Sequence, residues 1–472
     1  MVSEVNITVE ESSLSGSSSP AHVKIGISNI GTEEAVLITG SMTPEKIRMR
    51  LGNTPLADAC MDSVENGAKA VYCIPVAPEI QGSIGEIVFS GAGTGTITAS
   101  GKPNNDYDIL VVILESGNTN EGTFNISIDG GVSYMGEMTI PLGRTYIVGD
   151  TGITIQFSDA EGLEEGTASF QAGDTYRLRA EAPAMSNAQV IKAVKSLINF
   201  NKDYEYIHIV GATGRACWAS LAQLAEEFAI THKKPIAFVC EARKKAVGES
   251  MEEYVATMAG ERKGIDSYRL QVITAYATYL RKDGRTQDIN MAGVLCGLYS
   301  QAKQSQSIGE VKSFPLSASK VLKLLPAGIE DYIGELDELG YVTIRQYAGK
   351  DDFYVTCANM FAKEGSFRYM EDVRVLDRII KDVRLQALDN LQIEVDPTQI
   401  KAGLAILEQN LNIPIDKAVN DGIIAKGEVT LETENVNILK DESINAHVSY
   451  VPMGHLRTIN VTFSVYNPYM EE

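Results

Sequence analysis

YEYIHIVGATGRACWASLAQLAEEFAITHKKPIAFVCEA, residues 204–242, is the stretch from which the fold is read. Tyr206 to Val210 is an apolar run of strand length, interrupted only by His208. Gly211 and Gly214 mark a turn, and Trp218, Leu221, Leu224, Ala225 and Phe228 then recur at helical spacing. After Pro235 a second apolar run, Ile236 to Cys240, reads as another buried strand. Upstream, Ser186 is placed to cap a helix that carries Val190, Val194, Leu197 and Ile198 on one face. Helix, strand, helix and strand in alternation predict an open α/β layer.

The same alternation appears near the start of the chain. Val23, Ile25 and Ile27 alternate with His22, Lys24 and Gly26, and AVLITG (35–40) reads as a fully buried strand. A helix is expected in TPEKIRMRLG (43–52), where Thr43 can cap and Pro44 falls in the first turn. DACMDSVENG (58–67) predicts a second helix and AVYCIPVAP (70–78) a further buried strand. Between these two α/β stretches the composition changes. Residues 81–180 hold 17 of the 41 glycines, set between short Thr-, Ile- and Val-rich runs: EIVFSG, GTITASG, DILVVILESG, GTFNISIDGG, EMTIPL, GITIQFSD and DTYRLRAEAP. That spacing fits an all-β sandwich or small barrel without helices. Because the α/β pattern resumes at Ser186, the β segment is expected to interrupt the α/β domain. Ahead of everything, Val5, Ile7 and Val9 alternate with Asn6 and Thr8, and a polar linker from Ser12 to Pro20 follows. This reads either as a strand tethered to pair beyond its own domain or as a frayed terminus.

Downstream, GIDSYRLQVITAYA (264–277) contains another buried strand, and Asp288 is placed to cap a helix with Met291, Val294, Leu295 and Leu298. DYIGELDELGYVTIRQYAGKDDFYVTCANMFA (331–362) reads as helix, strand, turn and strand. A long helix is expected over 366–391, with Met370, Val373, Leu376, Ile379, Ile380, Val383 and Leu388 as its apolar stripe. A helix over 397–411 bears Ile400, Leu404 and Leu407, and GEVTLETENV (427–436) reads as a strand. Last, LRTINVTFSVYN (456–467) alternates Ile459, Val461, Phe463 and Val465 with Asn460, Thr462 and Ser464, as a strand added to a sheet edge does. The alternative is an edge strand of the chain's own core.

Composition excludes several function classes. A chain of 472 residues, 44% hydrophobic, can bury about two to four cores. The 62 acidic and 41 basic residues leave a net charge of -21, which disfavours phosphate backbones, so no nucleic-acid partner is expected. The start carries no basic run followed by an apolar stretch, and no apolar segment reaches bilayer length, so neither a secretory signal nor membrane insertion is expected. Cys60, Cys73, Cys217, Cys240, Cys296 and Cys357 are scattered without CxxC or Cys/His spacing, which predicts reduced, mostly buried thiols and no metal site. The five histidines fall into no ligand or nucleophile pattern.

One stretch invites an enzyme reading. Gly211 and Gly214 lie between a strand and a helix, where backbone amides can cradle a phosphate. Counted as GxGxxG from Gly211, however, the second glycine position is Thr213, and a tight turn needs glycine with or without a ligand. A nucleotide-binding enzyme using this turn is one alternative function; a surface-binding protein acting through the β segment is another.

The C-terminal third resembles the contractile tail sheath family. In that family a glycine-led strand, a hairpin turn, a second strand and a helix with an R-x-x-D-x-I pattern follow one another. Here the strand is Gly340, Tyr341, Val342, Thr343 and Ile344, the turn Gly349, Lys350, Asp351 and Asp352, and the helix supplies Arg374, Asp377 and Ile379. Where the family often ends the second strand with Gly-x-Arg-Thr, this chain has Thr356, Cys357, Ala358 and Asn359. The resemblance implies a structural subunit, not an enzyme, without cofactor or metal. The implied fold is an α/β (α+β) core split by an inserted all-β sandwich or barrel domain, with extended N- and C-terminal arms. The parts expected are 1–20 (arm and linker), 21–80 (first part of the core), 81–185 (inserted β domain), 186–455 (second part of the core) and 456–472 (C-terminal arm strand). Partners would be further copies in stacked, six-fold rings, an inner tail tube, and baseplate and tail terminator proteins, with assembly in a host cytoplasm and final residence in a virion tail or injection machine. Intersubunit strand exchange falls to Val5, Ile7, Val9, Ile459, Val461, Phe463 and Val465. Arg374, Arg378 and Arg384 are candidates for a tube or subunit contact, the alternative being a solvated charged face.

Overall fold

The structure is a computed structural model, and it describes residues 21–30, 34–162, 164, 167–362, 365–433 and 437–465. Val5, Ile7, Val9 and the linker from Ser12 to Pro20 lie outside these residues, as do the last two positions of the expected terminal strand. Two compact units are present, Met1–Val373 and Arg374–Glu472. The sequence pattern draws no border there, because a single helix, with unbroken apolar periodicity, runs through the dividing position.

The first unit is organised by β1 (His22–Ile27), all six residues of which are buried. β2 (Val36–Thr39) follows, then α1 (Pro44–Leu51) with proline in its first turn and α2 (Pro55–Glu65) capped by the Thr54 hydroxyl. β3 (Ala70–Val76) pairs with β1 in parallel, and β2 adds to the far side of β3 antiparallel. The expectation that β2 is fully buried is corrected here. As an edge strand it buries only Ile38 and exposes Leu37, and an unbroken apolar run does not distinguish an edge from a centre.

Nine strands come next: β4 (Ser83–Ile84), β5 (Val88–Ser90), β6 (Thr96–Gly101), β7 (Tyr107–Glu115), β8 (Thr123–Ser127), β9 (Met138–Thr139), β10 (Thr145–Ile147), β11 (Ile153–Ser158) and β12 (Thr175–Glu181). One sheet runs β4-β12-β7-β8-β9 with β5 also on β12, and a second runs β10-β11-β6. No helix occurs among the described residues 79–185. In β7 the alternation is regular, with Tyr107, Ile109, Val111 and Ile113 buried against Phe124, Phe157 and Phe170 in a core of their own.

The α/β pattern then resumes. Ser186 and Gln189 form a capping box on α3 (Asn187–Ser196), as the Ser186 reading predicts. β13 (Tyr206–Ala212), α4 (Arg215–Ile230), β14 (Ala237–Glu241), α5 (Met251–Arg262) and β15 (Leu270–Ile273) complete a six-stranded sheet in the order β15-β14-β13-β1-β3-β2. β13 pairs in parallel with β1, so that Lys24 lies opposite His208. An antiparallel sheet of β16 (Tyr276–Leu280), β17 (Thr286–Asn290) and β18 (Val321–Leu325) follows, with α6 (Ala292–Gln301) between β17 and β18. Asp288 does not cap α6. It lies within β17 and accepts from the Thr278 hydroxyl at 2.7 Å, while the Asn290 side chain accepts from the Ala292 N–H at 2.9 Å. α6 packs closely on α2, and a Cβ at Gly297 would come within 2.7 Å of the Ser63 carbonyl oxygen. α7 (Ile333–Glu338) and the hairpin of β19 (Ile344–Gln346) and β20 (Phe353–Val355) follow in the order that 331–362 predicts, but the first strand shares only Ile344 with the expected Gly340–Ile344, of which Val342 makes an isolated bridge to Ile273.

Charged side chains hold the turn between β16 and β17 to α2. Arg281 donates to both carboxylate oxygens of Asp62, at 2.7 and 2.9 Å, and to Asp58 at 3.2 Å; Arg285 donates to Asp58 at 2.7 Å and to Asp283 at 3.0 Å. Arg48 of α1 also bonds to Asp283. Asn105 donates to Asp58 at 2.7 Å, and Gln287 donates to the Asp106 carbonyl at 3.0 Å, so residues just before β7 share in this network.

The second unit takes most of α8 (Met370–Asp389), then α9 (Ile400–Asn420), β21 (Ile424–Leu431) and β22 (Ala446–Pro452). Leu404, Leu407, Leu411, Ile415 and Ala418 face Ile424, Val429 and Leu431 in a separate core. α9 starts at Ile400 and continues past Leu411, where the sequence reading ends it, through Pro414 to Asn420.

Burial of the ion network gives the first test. Arg281→Met leaves Asp58 and Asp62 buried without their main cation, and the expected loss is about 3–5 kcal/mol by denaturant unfolding at neutral pH. Burial raises the Asp58 carboxyl pKa, but Arg281 and Arg285 more than offset this and hold it below the usual carboxylate value. Its stabilising contribution is therefore present above the unfolded pKa and lost as pH falls through the folded one, so the deficit of the variant shrinks in acid.

Candidate functional site

Two places in the structure carry chemistry worth testing against function. The first is a cleft of 330 Å³ whose lining includes Ile27, Gly211, Thr213, Glu241, Asp58 and Lys244. It lies at the carboxyl ends of β1, β13 and β14, where the strand order reverses and open α/β sheets bind ligands. Gly211 has φ +99°, which glycine adopts readily. The turn after it closes on the protein itself. The N–H and the hydroxyl of Thr213 both donate to the Glu241 carbonyl at 2.8 Å, and Trp218 Nε1 donates to the Thr213 hydroxyl at 2.8 Å.

A carboxylate stands near the amino end of α4, which no side chain caps. Gly214 is its N-cap, and the Glu261 carboxylate stands 3.9 Å from the place a Cβ would take there. Glu261 Oε2 is buried and has no hydrogen-bond partner among the described residues, and desolvation raises its pKa. A phosphate entering this turn would meet a carboxylate. The cleft repeats the pattern, since Asp58, Asp62, Asp106, Glu181, Glu241 and Asp288 line it against only Lys244 and the already paired Arg281. The local electrostatics oppose the nucleotide reading of Gly211 and Gly214.

Behind the cleft runs a buried polar line across three adjacent strands. Lys24 Nζ lies 2.7 Å from His208 Nδ1, and His208 Nε2 lies 2.9 Å from Glu241 Oε1. A lysine donates only, so Nδ1 accepts and the neutral imidazole carries its proton on Nε2, which donates to Glu241. Burial, with Lys24 nearby, keeps the His208 pKa well below its ordinary value. Burial lifts Glu241 to about 7, against the pull of Lys24 and of the Gly211 N–H.

The second place is the sheet of β21 and β22, whose register pairs Val429 with Val448 and Leu431 with Ala446. α9 reaches one edge of it. Asn412 Oδ1 accepts from the Val429 N–H at 2.8 Å, Asn412 Nδ2 donates to the Val429 carbonyl at 2.9 Å, and Glu408 accepts from the Leu431 N–H at 2.9 Å. After β22, residues 454–465 form no strand with any described residue. Ile459, Val461, Phe463 and Val465 are 75%, 65%, 91% and 101% exposed. The sequence reading grouped these four, and the structure leaves them together on one uncovered segment. Of the three arginines, Arg374 is 3% exposed, whereas Arg378 bonds to Asp382 on a half-buried surface and Arg384 is exposed, so a partner can reach only the last two. β22 itself escaped the sequence reading, although Val448 and Tyr450 alternating with His447 and Ser449 are a strand signal.

A family model described as DUF2586, N-terminal domain, matches residues 2–359, and one described as DUF2586, C-terminal domain, matches residues 366–470. No curated protein matches the chain. The sheath tail protein from Desulfitobacterium hafniense aligns at 15% identity with a TM-score of 0.50, over 95% of this chain and 100% of that one. The contracted helical sheath of the anti-feeding prophage aligns at 9% identity with a TM-score of 0.55, covering 98% of this chain and 99% of that one. The contracted sheath complex of the extracellular contractile injection system PVC gives 10% identity and a TM-score of 0.54, with 98% of each chain covered. The chain therefore has the mixed α/β fold of these sheath proteins, as the resemblance of its C-terminal third implies.

Glu241→Gln tests the buried line. A carboxyl whose folded pKa is raised stabilises fully below the unfolded value near 4.3 and loses that contribution as pH rises through about 7. The variant lacks this titration. Relative to the variant, the parent should be at its most stable below pH ~4.5 and decline toward pH ~7. Parallel denaturant curves across that range measure the difference, and a flat difference refutes the assignment.

Proposed function

The chain belongs to the DUF2586 family, and from that premise we propose that it is a structural subunit of a contractile tail sheath, which polymerises around an inner tube and contracts to drive the tube through a target envelope. The observation that carries this reading is the uncovered segment ending in Ile459, Val461, Phe463 and Val465, four apolar side chains at period two on a sheath-like fold. Water-exposed apolar residues in strand alternation are best satisfied by a sheet on another copy. In this proposal Val5, Ile7 and Val9 do the same at the other end of the chain.

Strand addition pairs backbone donors and acceptors between copies, so rigid bodies can rotate and slide while remaining linked. Contraction is then a passage from a metastable extended lattice to one with better contacts, and requires neither nucleotide nor metal. The division of labour proposed is an arm and linker at 1–20, an α/β core in two parts at 21–80 and 186–455, an inserted β domain at 81–185 presented outward, and a terminal arm strand at 456–472. The partners proposed are further copies in stacked six-fold rings, the inner tube, and baseplate and terminator proteins, with Arg378 and Arg384 as reachable tube or subunit contacts. Assembly takes place in a host cytoplasm and the product resides in a virion tail or injection machine.

Negative-stain microscopy of the purified full chain is expected to show rings or tubes. Removing residues 456–472 is expected to leave folded, soluble subunits that form neither. A full chain that stays monomeric at every concentration and ionic strength, or a truncated one that polymerises normally, overturns the reading.

A further inference from the structure

No apolar core joins the β sheets of residues 83–181 to the α/β part of the first unit. The buried core of those sheets draws on residues 97–180 only, and the two α/β cores take nothing from that range. The connection is instead a narrow neck and a row of polar contacts. At the neck, Ile80 and Ala184 exchange backbone hydrogen bonds of 3.0 and 3.4 Å. In the row, Asn105 donates to Asp58 at 2.7 Å, Asn53 to the Tyr107 hydroxyl at 2.9 Å, Gln287 to the Asp106 carbonyl at 3.0 Å and Lys244 to the Asp106 carboxylate at 3.0 Å.

Beside this row the two bodies stand apart around a cleft of 780 Å³. Ile128, Val132 and Arg177 line it from the sheets, and Val247, Thr286 and Asp288 line it from the α/β part. Val132 is 63% exposed and Val247 99%, so neither valine is covered by the facing wall. The loop that carries Val247 is braced, since Arg243 donates to both Glu249 oxygens at 2.8 and 2.6 Å and the Ala246 N–H donates to Glu249 at 2.8 Å. Charges across the gap are complementary. The Arg177 pKa is raised first by its hydrogen bond to Asp108, and Asp288 adds to the rise from the opposite wall. On that wall the Thr286 hydroxyl is buried without a hydrogen-bond partner among the described residues, a group that the open cleft leaves unanswered.

We propose that the sheets of residues 83–181 act as a lid, which rocks on the neck at Ile80 and Ala184 and closes the cleft until Val132 reaches Val247 and Arg177 reaches Asp288. Bodies joined by a thin neck and a polar contact move relative to one another by default, and a few residues at such a connection absorb the rotation. An exposed ion pair such as Lys244 and Asp106 resists that motion little. Closure withdraws two valines from water and brings a guanidinium to a carboxylate, so the closed arrangement has contacts of its own. The lid works within one copy, and the inference stands apart from the sheath reading.

Disulfide trapping in the full chain tests the closure, in a Cys357→Ser background because the other five cysteines are buried. Val132→Cys with Val247→Cys is compared with Leu142→Cys with Val247→Cys; Leu142 is 74% exposed in the same segment and does not line the cleft. A disulfide needs Cα atoms within ~7 Å, a reach that an uncovered Val247 attains only when the walls move together. Under diamide, dispersed subunits should cross-link the first pair within one chain about tenfold faster than the second, as read by mass spectrometry of digests. Arg177→Ala should slow this trapping several-fold and Arg177→Lys should restore it. Equal rates for the two pairs overturn the lid, as do disulfides of the first pair found only between chains, or none at all while both thiols react with a maleimide. Trapping that Arg177→Ala leaves unchanged overturns the pairing of Arg177 with Asp288. Whether the same samples form tubes bears on the sheath reading alone.

Discussion

Backbone N–H and C=O groups withdrawn from water must find partners, and both units of this chain are arranged around that requirement. In the first unit β1 is buried on every side, so both of its edges need strands. β3 supplies one at once, but the other is filled only by β13, after more than a hundred intervening residues have formed two antiparallel sheets with a core of their own. In the second unit the requirement is met differently. Asn412 and Glu408 pair the groups of Val429 and Leu431 without another strand, which stops the sheet on that side.

The turn at Gly211 has the glycines and the strand-to-helix passage of a phosphate loop, in acidic surroundings that disfavour a phosphate. A strand entering a helix at the carboxyl end of a parallel sheet leaves free amides at the helix start. In a nucleotide-binding protein the ligand answers them. Here no side chain caps α4, Thr213 just ahead of it is bonded to the Glu241 carbonyl, and Glu261 stands near Gly214, where its carboxylate would meet an incoming phosphate. The Lys24, His208 and Glu241 line, for all its catalytic appearance, links three adjacent strands within the sheet, and lysine, imidazole and carboxyl each find a partner in the next. Such a line specifies strand neighbours, since a slip of one residue would bury an unpaired lysine.

Much of this was legible in the sequence, and the failures have physical causes. Ser186, Pro44 and the strand at Tyr206 were readable because capping, first-turn proline and short apolar runs are local signals. The exposure of Leu37 was not, because whether an apolar strand is central depends on what pairs with it from elsewhere in the chain. Asp288 fitted a cap by position, but it lies in β17, which the sequence reading did not pick out, and the Asn290 side chain accepts from the Ala292 N–H instead. α5 passed unread because only Tyr254, Val255 and Met258 mark its buried face, although Ser250 and Glu253 form a capping box. The sealing of β21 by Asn412 was out of reach, since the two lie 17 positions apart on different elements and nothing in either residue type announces the other.

A donated strand alone would hold a polymer only weakly. Burying four side chains such as Ile459, Val461, Phe463 and Val465 contributes about 2 kcal/mol each, about 8 in all. Ordering the seven residues that carry them costs about 1–2 kcal/mol apiece, about 10 in all, so the backbone hydrogen bonds decide the sign and the balance lies within a few kcal/mol of zero. Copies that each carry a net charge of -21 also repel one another, an effect that salt screens over roughly 8–10 Å. The arm is therefore better suited to tethering than to gluing. On the strand-exchange proposal it would keep a neighbour at high effective concentration and let larger surfaces form, break and re-form during a rearrangement without loss of the subunit, a role for which a marginal affinity is an advantage.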